Sequence, residues 1–283
     1  MSATTTITAA EINKLRQTTG AGMMDCRKAL VESDGDFEKA IDYLRKKGQK
    51  VAALRSDREA KEGVVIAKTT GDNKTGFIIT LACETDFVAK NAEFVAFAQS
   101  IIDAAVKTNA NSLEEVLGIQ LDGASVADKI NDQVAKIGEK IQLARFEKIA
   151  ADAVAAYIHG AYRMGVLVGL SKNSAAILDA GKDLAMQIAA MNPVAVSPDS
   201  VPANVVERER AIVTDQIKND PKMAGKPDEM IDKIATGKLN AFFKENTLTA
   251  QAYVKDAGKT VGEYLKSVDA EVKVTEFKRV QLG

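Results

Sequence analysis

Histidine is nearly missing from this chain. His159 is the only one in 283 residues, which removes H-E-x-x-H zincins, paired-histidine metal sites and most catalytic triads unless this one residue carries them. Cysteine is almost as scarce, with Cys26 and Cys83 standing alone and no C-x-x-C. A disulfide framework and a structural zinc site are therefore not expected, and two reduced, buried thiols in a cytoplasmic protein fit the count better. Neither sign of charge dominates, with Lys+Arg at 38 and Asp+Glu at 39. That balance argues against a dedicated nucleic-acid site, whose affinity comes largely from basic residues neutralising phosphates. No apolar run approaches the roughly 20 residues a membrane helix needs. Residues 1–14 lack a basic start followed by an apolar stretch, so no secretory signal is expected.

What is present is an ordinary core. Hydrophobic residues make up 46% and charged residues 27%, the balance of a soluble globular chain long enough for two or so compact units. The first 56 or so residues read as three short helices. Thr8 and Glu11 form a capping box before a helix carrying Ile12 and Leu15, which stops at Gly20. The Gly20-Ala21-Gly22 turn leads into a second helix through Met23, Met24, Cys26, Ala29 and Leu30. Asp36, in the turn Ser33-Asp34-Gly35-Asp36, caps a third with Phe37, Ala40, Ile41 and Leu44. Seven basic residues then fall between Arg45 and Lys61, against the acidic Asp57 and Glu59. Charge pattern alone makes this a solvated helical linker, with a contact for an acidic partner or RNA as the sharper reading.

At Gly63 the pattern changes. Val64–Ala67 and Phe77–Ala82 are β-rich runs around a hairpin signal at Thr70–Asn73. A helical stripe follows in Phe94, Val95, Phe97, Ala98, Ile101, Ile102 and Ala105. About ninety residues later the series recurs as Val154–Gly160, Gly165–Leu170 and a helix through Leu184, Ala185, Ile188 and Ala189. This predicts a duplicated α+β core. Between Pro193 and Thr249 two amphipathic helices flank a turn, Pro221 to Pro227, that suits an antiparallel hairpin. Two readings are open for it: a core helix pair, or a protruding coiled-coil arm for a partner or a second copy of the chain. Val272–Phe277 reads as the last strand.

Most chemical motifs fail on inspection. Gly258-Lys259-Thr260 looks like the end of a P-loop, but the glycine required five positions earlier is Tyr253. Gly71 and Gly76 have the right spacing, yet Phe77 and Ile78 follow. There is no G-x-S-x-G and no Rossmann fingerprint, so nucleotide binding by the chain itself is not expected. The segment Cys83-Glu84-Thr85-Asp86-Phe87-Val88-Ala89-Lys90-Asn91 lies between a strand and a long helix. Its plainer reading makes Asp86 the helix N-cap and Phe87 a core residue. Its sharper reading is an exposed acidic–aromatic pair at a loop tip, shaped to wedge into another protein. His159, beside Tyr157, Ile158 and Gly160 at a strand end, reads as a satisfied structural residue with no nucleophile or carboxylate beside it in sequence.

Two runs carry a resemblance. Leu15–Leu30 resembles the N-terminal signature of bacterial elongation factor Ts, and Cys83–Lys90 resembles the family's second signature. The likeness extends through Ala135–Glu139, Tyr157–Gly160 and Lys259–Gly262, in order along nearly the whole chain. It implies an α+β fold with a ubiquitin-associated-like three-helix domain at 1–56, a core N-subdomain at 57–150 and a core C-subdomain at 151–283 carrying a coiled-coil arm at about 198–246. It also implies a cytoplasmic guanine-nucleotide exchange factor for elongation factor Tu, with no covalent chemistry, catalytic residue, metal or cofactor of its own.

By the same resemblance Thr85, Asp86, Phe87 and Val88 bind the partner and dislocate its magnesium. Met24, Asp25 and Arg27 (lysine in many members) would meet the nucleotide-binding domain of Tu, as would Ile137 and Gly138. His159 would meet the far domain, and Val254 is a further partner contact. Longer members continue past the last strand into a helical module that touches Tu, whereas this sequence ends at Gly283; Lys255 stands where they place an apolar residue. An RNA-binding or ubiquitin-like adaptor would explain the helical unit and the basic stretch but not the two signatures. A small hydrolase built on His159 is the enzyme alternative.

Overall fold

The computed structural model describes residues 7–220 and 227–283. Its chain opens with α1 (Ala9–Thr19), α2 (Met23–Glu32) and α3 (Phe37–Leu54). Local chemistry sets their ends. The Thr8 and Glu11 side chains cap each other's backbone at the start of α1, and Gly20 closes it in the left-handed conformation at φ 70°. Lys39 N donates to Asp36 Oδ1 at 3.1 Å at the start of α3. Ile12, Leu15, Cys26, Ala29, Leu30, Ala40 and Leu44 bury themselves in one small cluster.

The basic stretch is helical only in its first part, which continues α3 as far as Leu54; there Leu44, Gly48 and Val51 form an inward stripe at helical spacing while Arg45, Lys46 and Lys50 stay outside. Gly48 is where the helix meets the rest of the protein. A Cβ there would stand 2.9 Å from Ala135 Cβ and 3.0 Å from Asn131 O, so the absence of a side chain permits the contact.

Next come β1 (Glu62–Thr69), β2 (Thr75–Cys83), the single turn α4 (Asp86–Ala89), α5 (Ala92–Thr108) and α6 (Leu113–Gly118). A small hairpin, β3 (Gln120–Leu121) and β4 (Ala124–Ser125), leads into α7 (Val126–Ile137) and β5 (Gln142–Ala150). The second half begins with β6 (Ala153–His159), β7 (Met164–Leu170) and α8 (Ala175–Met191). It continues through α9 (Ala203–Lys218), α10 (Asp228–Asn246), β8 (Ala252–Tyr253), β9 (Asp256–Thr260), α11 (Val261–Val268) and β10 (Val274–Gln281).

The two main sheets share one topology. Each is antiparallel and three-stranded, β1-β2-β5 and β6-β7-β10, with a hairpin whose second strand is central and a late strand added at its side. The helix after the hairpin, α5 or α8, covers one face.

The other faces pack on each other. Along β1, Val64 and Ile66 face the α5 side while Val65 and Ala67 face the second sheet; on β2, Phe77, Ile79 and Leu81 divide from Ile78 in the same way. On β7, Val166, Val168 and Leu170 face α8 while Leu167 joins the inter-sheet cluster. Alternation is therefore hidden in the sequence, because both faces are apolar and the strands read as unbroken hydrophobic runs.

The α9–α10 pair has its own small core of Val213, Ile217, Ile231 and Ala235, the order expected of antiparallel helices. Most of the turn expected at Pro221 to Pro227 lies outside the described residues; Pro227 precedes α10 as its N-cap. One local expectation needs correcting: the last strand runs Val274–Gln281, later than Val272–Phe277. Gly258-Lys259-Thr260, rejected as a P-loop in the sequence, is the approach to α11, where Thr260 and Glu263 form a capping box.

Candidate partner-binding site

Phe87 is 84% exposed, the most exposed large apolar side chain among the described residues. The plainer sequence reading, a core phenylalanine behind an Asp86 cap, does not hold. Thr85 is the N-cap, its Oγ1 accepting from Val88 N at 3.5 Å, and Asp86 is the first residue of α4. Both residues are good caps, and choosing the earlier one turns Phe87 outward. Val88 is half-buried against the first core and Ala89 is buried in it. Asp86 pairs with Lys90 Nζ at 2.6 Å, and that hydrogen bond holds its carboxyl below the usual carboxylate range.

One turn of helix cannot hold itself in place. The hold comes from across the chain. Glu139 Oε2 accepts from Thr85 N at 3.0 Å and Glu84 N at 3.2 Å, and Glu139 Oε1 accepts from Thr85 Oγ1 at 2.6 Å. Glu84 is spent in the other direction, accepting from Arg55 Nη1 and Arg58 Nη1 at 2.9 Å each and from Lys140 N at 2.6 Å. Burial opposes its charge, but the Lys140 N–H, Arg58 and Arg55 outweigh it and hold the carboxyl down at about 2. Lys140 Nζ then closes on Ser56 O at 2.6 Å and Arg58 O at 2.9 Å, just past the end of α3.

Ile137 and Gly138 thereby stand beside the Thr85–Val88 turn. Gly138 ends α7 at φ 79°, and that left-handed residue sends the chain into Glu139. Ile137 is half-buried against the first core. The helical unit reaches the same corner through Lys136, which bonds Glu93 Oε2 at 2.8 Å and runs past Gly20, where a Cβ would lie 3.1 Å from its Cδ. Of the residues expected on that unit, Met24 is 73% exposed and Arg27 is exposed. Asp25 is half-buried and bonded by Lys47.

His159 lies at the tip of the β6–β7 hairpin, exposed, with its Nδ1 2.9 Å from the Tyr157 hydroxyl. The turn after it touches the first sheet at the end that carries Cys83. Arg163 bonds Glu62 at 3.0 Å, Val65 N donates to Tyr162 O at 2.7 Å, and Glu62 pairs with Cys83. Val254 is exposed on the β8–β9 turn, its N–H donating to Gln187 Oε1 at 2.8 Å. That turn packs on α8, apart from the Phe87 corner.

The corner has the form of a docking surface rather than a reaction centre. A cleft of about 370 Å³ between the helical unit and α7 is lined by charges of both signs, including Asp25, Arg45, Lys47, Asp132 and Lys136. Among the described residues no group of three or more His, Cys, Asp and Glu side chains is placed to hold a metal ion. No described helix is long and apolar enough to cross a membrane. Sequence reasoning missed Glu84 and Glu139, whose partners lie 26 to 56 residues away.

Comparison with known proteins decides the family. The family model described as Elongation factor TS matches residues 84–283. A protein named Elongation factor Ts from Christiangramia forsetii is 50% identical over 277 residues, 98% of this chain and 99% of its own length. The chain belongs to the elongation factor Ts family. Relatives of that name from Flavobacterium psychrophilum, 49% identical over 278 residues, and Porphyromonas gingivalis, 44% over 280, also span at least 98% of both chains. Membership makes this a translation elongation factor. The part matched by the elongation factor Ts family model contains Thr85–Val88, Ile137, Gly138, His159 and Val254, while the helical unit falls within the span shared with the relatives.

Proposed function

We propose that this member of the elongation factor Ts family is a guanine-nucleotide exchange factor for elongation factor Tu, acting in the cytoplasm without covalent chemistry. The observation that carries the reading is Phe87, an aromatic ring held almost wholly in solvent beside Asp86. Leaving such a ring uncovered costs about 2 kcal/mol relative to burial, a cost recovered when a partner covers it.

The partner's GDP is held by phosphate contacts and by the partner's magnesium. Phe87 enters between helices of the nucleotide-binding domain and displaces the elements that position both. Asp86, freed from Lys90, anchors the wedge and brings negative charge towards the phosphates. Thr85 and Val88 frame the ring, Ile137 and Gly138 extend the contact, and Met24, Asp25 and Arg27 dock the helical unit on the same domain. His159 meets the partner's far domain, and Val254 is a further partner contact.

The energetics are within reach of such a surface. A thousandfold faster release requires lowering the barrier by about 4 kcal/mol. A buried aromatic hot spot supplies about 2–4 kcal/mol of this, and neighbouring contacts the remainder. Reciprocity then requires GDP and the exchange factor to weaken each other's binding to Tu by the same factor. Either nucleotide can rebind, so direction comes from the excess of GTP.

The test is the release of a fluorescent GDP analogue from purified elongation factor Tu. Substoichiometric amounts of the chain should accelerate release and saturate; an unchanged rate with a cognate Tu would refute the reading.

A further inference from the structure

The wedge depends on a support that no local sequence feature supplies. Helix α4 has four residues, too few to be stable alone, and an unconstrained turn would let the Phe87 ring fold back onto apolar surface. The Glu139 carboxylate fixes it by accepting two backbone N–H groups and one hydroxyl, bonds of the stronger, charge-assisted kind. The two N–H groups belong to Glu84 and Thr85, so the backbone leading into the turn is held as well as its cap.

We propose that Glu139 is a positioning residue for exchange, holding the Thr85–Val88 turn so that Phe87 stands clear of the protein's own core. Glu84 fastens the same turn to the end of α3 through Arg55 and Arg58. The helical unit and the wedge are therefore indexed to one hub of Glu84, Glu139 and Lys140. The proposal rests on the exchange reading, and Glu139 itself acts only through the turn it holds.

The test uses the full chain with purified elongation factor Tu carrying a fluorescent GDP analogue. Glu139→Ala should lower the maximal release rate about tenfold or more, as misplacement of a working group does. The half-saturating concentration should stay within about threefold, since the rest of the docking surface is intact. On a Phe87→Ala background, Glu139→Ala should cost nothing further, because the group it positions is gone. Glu139→Gln, which keeps an oxygen acceptor for the backbone, should recover most of the rate. Thr85→Val, which removes the 2.6 Å bond to Glu139 together with the cap on Val88 N while leaving both backbone bonds to Glu139, should lose part of it. Amide hydrogen exchange across residues 84–88 should rise in Glu139→Ala.

A normal rate in Glu139→Ala, a loss that multiplies with that of Phe87→Ala, or unchanged amide protection would overturn the proposal. If the unaltered chain fails to accelerate release, the exchange reading falls, and amide protection still decides whether Glu139 holds the turn.

Discussion

Glu139 Oε1 accepts a hydrogen bond from Thr85 Oγ1 at 2.6 Å, across 54 residues of sequence. The residue before Thr85 and the residue after Glu139 are joined as well, through Glu84 Oε1 and Lys140 N. Two loop ends thus grip each other, and the exposed aromatic ring of Phe87 sits at the grip. Chemistry that weakens it should be visible in stability as well as in exchange.

Glu84 makes the grip sensitive to acid. Its carboxyl titrates at about 2 in the folded chain against an ordinary value of 4.5. Between those values the unfolded state binds more protons, so stability rises with pH there. The contribution is complete above about pH 4.5 and is lost as pH falls toward about 2. Thermal unfolding midpoints should therefore fall more steeply below about pH 4.5 in the unaltered chain than in Glu84→Gln. Parallel curves would show that the three bonds contribute nothing.

Gly138 tests the backbone side of the same corner. No atom lies within 4 Å of a Cβ built there, so only the left-handed φ of 79° resists a side chain. Gly138→Ala should destabilise by about 1 kcal/mol, and Gly138→Asn by less, because asparagine tolerates this region. Denaturant titration reads the difference; an alanine variant as stable as the original would show that α7 ends without strain.

Asp183 anchors the turn that carries Val254. Its Oδ2 accepts from the Tyr253 and Tyr264 hydroxyls at 2.9 Å each, and its Oδ1 from Lys255 at 2.6 Å. The two rings stack with centroids 4.1 Å apart. Asp183→Ala removes the carboxylate to which both phenol groups donate and should cost about 1–3 kcal/mol. Amide exchange over β8 and β9 should rise first; equal protection there would mean the stacked rings hold the turn unaided.

Cys83 should be chemically quiet. Burial pushes its thiol up, the Glu139 carboxylate adds to this, and the value reaches about 12. At about pH 8 almost none is thiolate, the nucleophilic form. Iodoacetamide should leave Cys83 unmodified in the folded chain and label it in denaturant. Rapid labelling of the folded chain would show an opening at the base of the Thr85–Val88 turn.

The sequence revealed what is decided locally. Thr8 with Glu11, the glycine stop at Gly20 and the Asp36 cap all lie within a few residues of what they control. The apolar runs of β1, β2 and β7 were readable as strands, yet their division between two faces was not, since residues of both faces are apolar. β5 escaped notice because it is an edge strand that carries Arg145, Glu147 and Lys148. The stripe Val126, Ile130, Val134 and the Ser125 cap of α7 are signals of the same local kind as the Asp36 cap. The fate of Phe87 turned on Thr85 against Asp86 as cap, adjacent residues of similar capping strength, and the deciding partner, Glu139, is distant in sequence.

The most direct measurement is the maximal rate of fluorescent GDP release from elongation factor Tu, compared between the unaltered chain and Phe87→Ala. The ring is 84% exposed, so its removal should leave stability within about 0.5 kcal/mol. If Phe87 is the wedge, the variant should still bind Tu but release GDP at least about tenfold more slowly at saturation, a loss of about 1.4 kcal/mol or more from the transition state. An unchanged maximal rate would contradict the assignment of Phe87 and, with it, the exchange mechanism proposed for this surface.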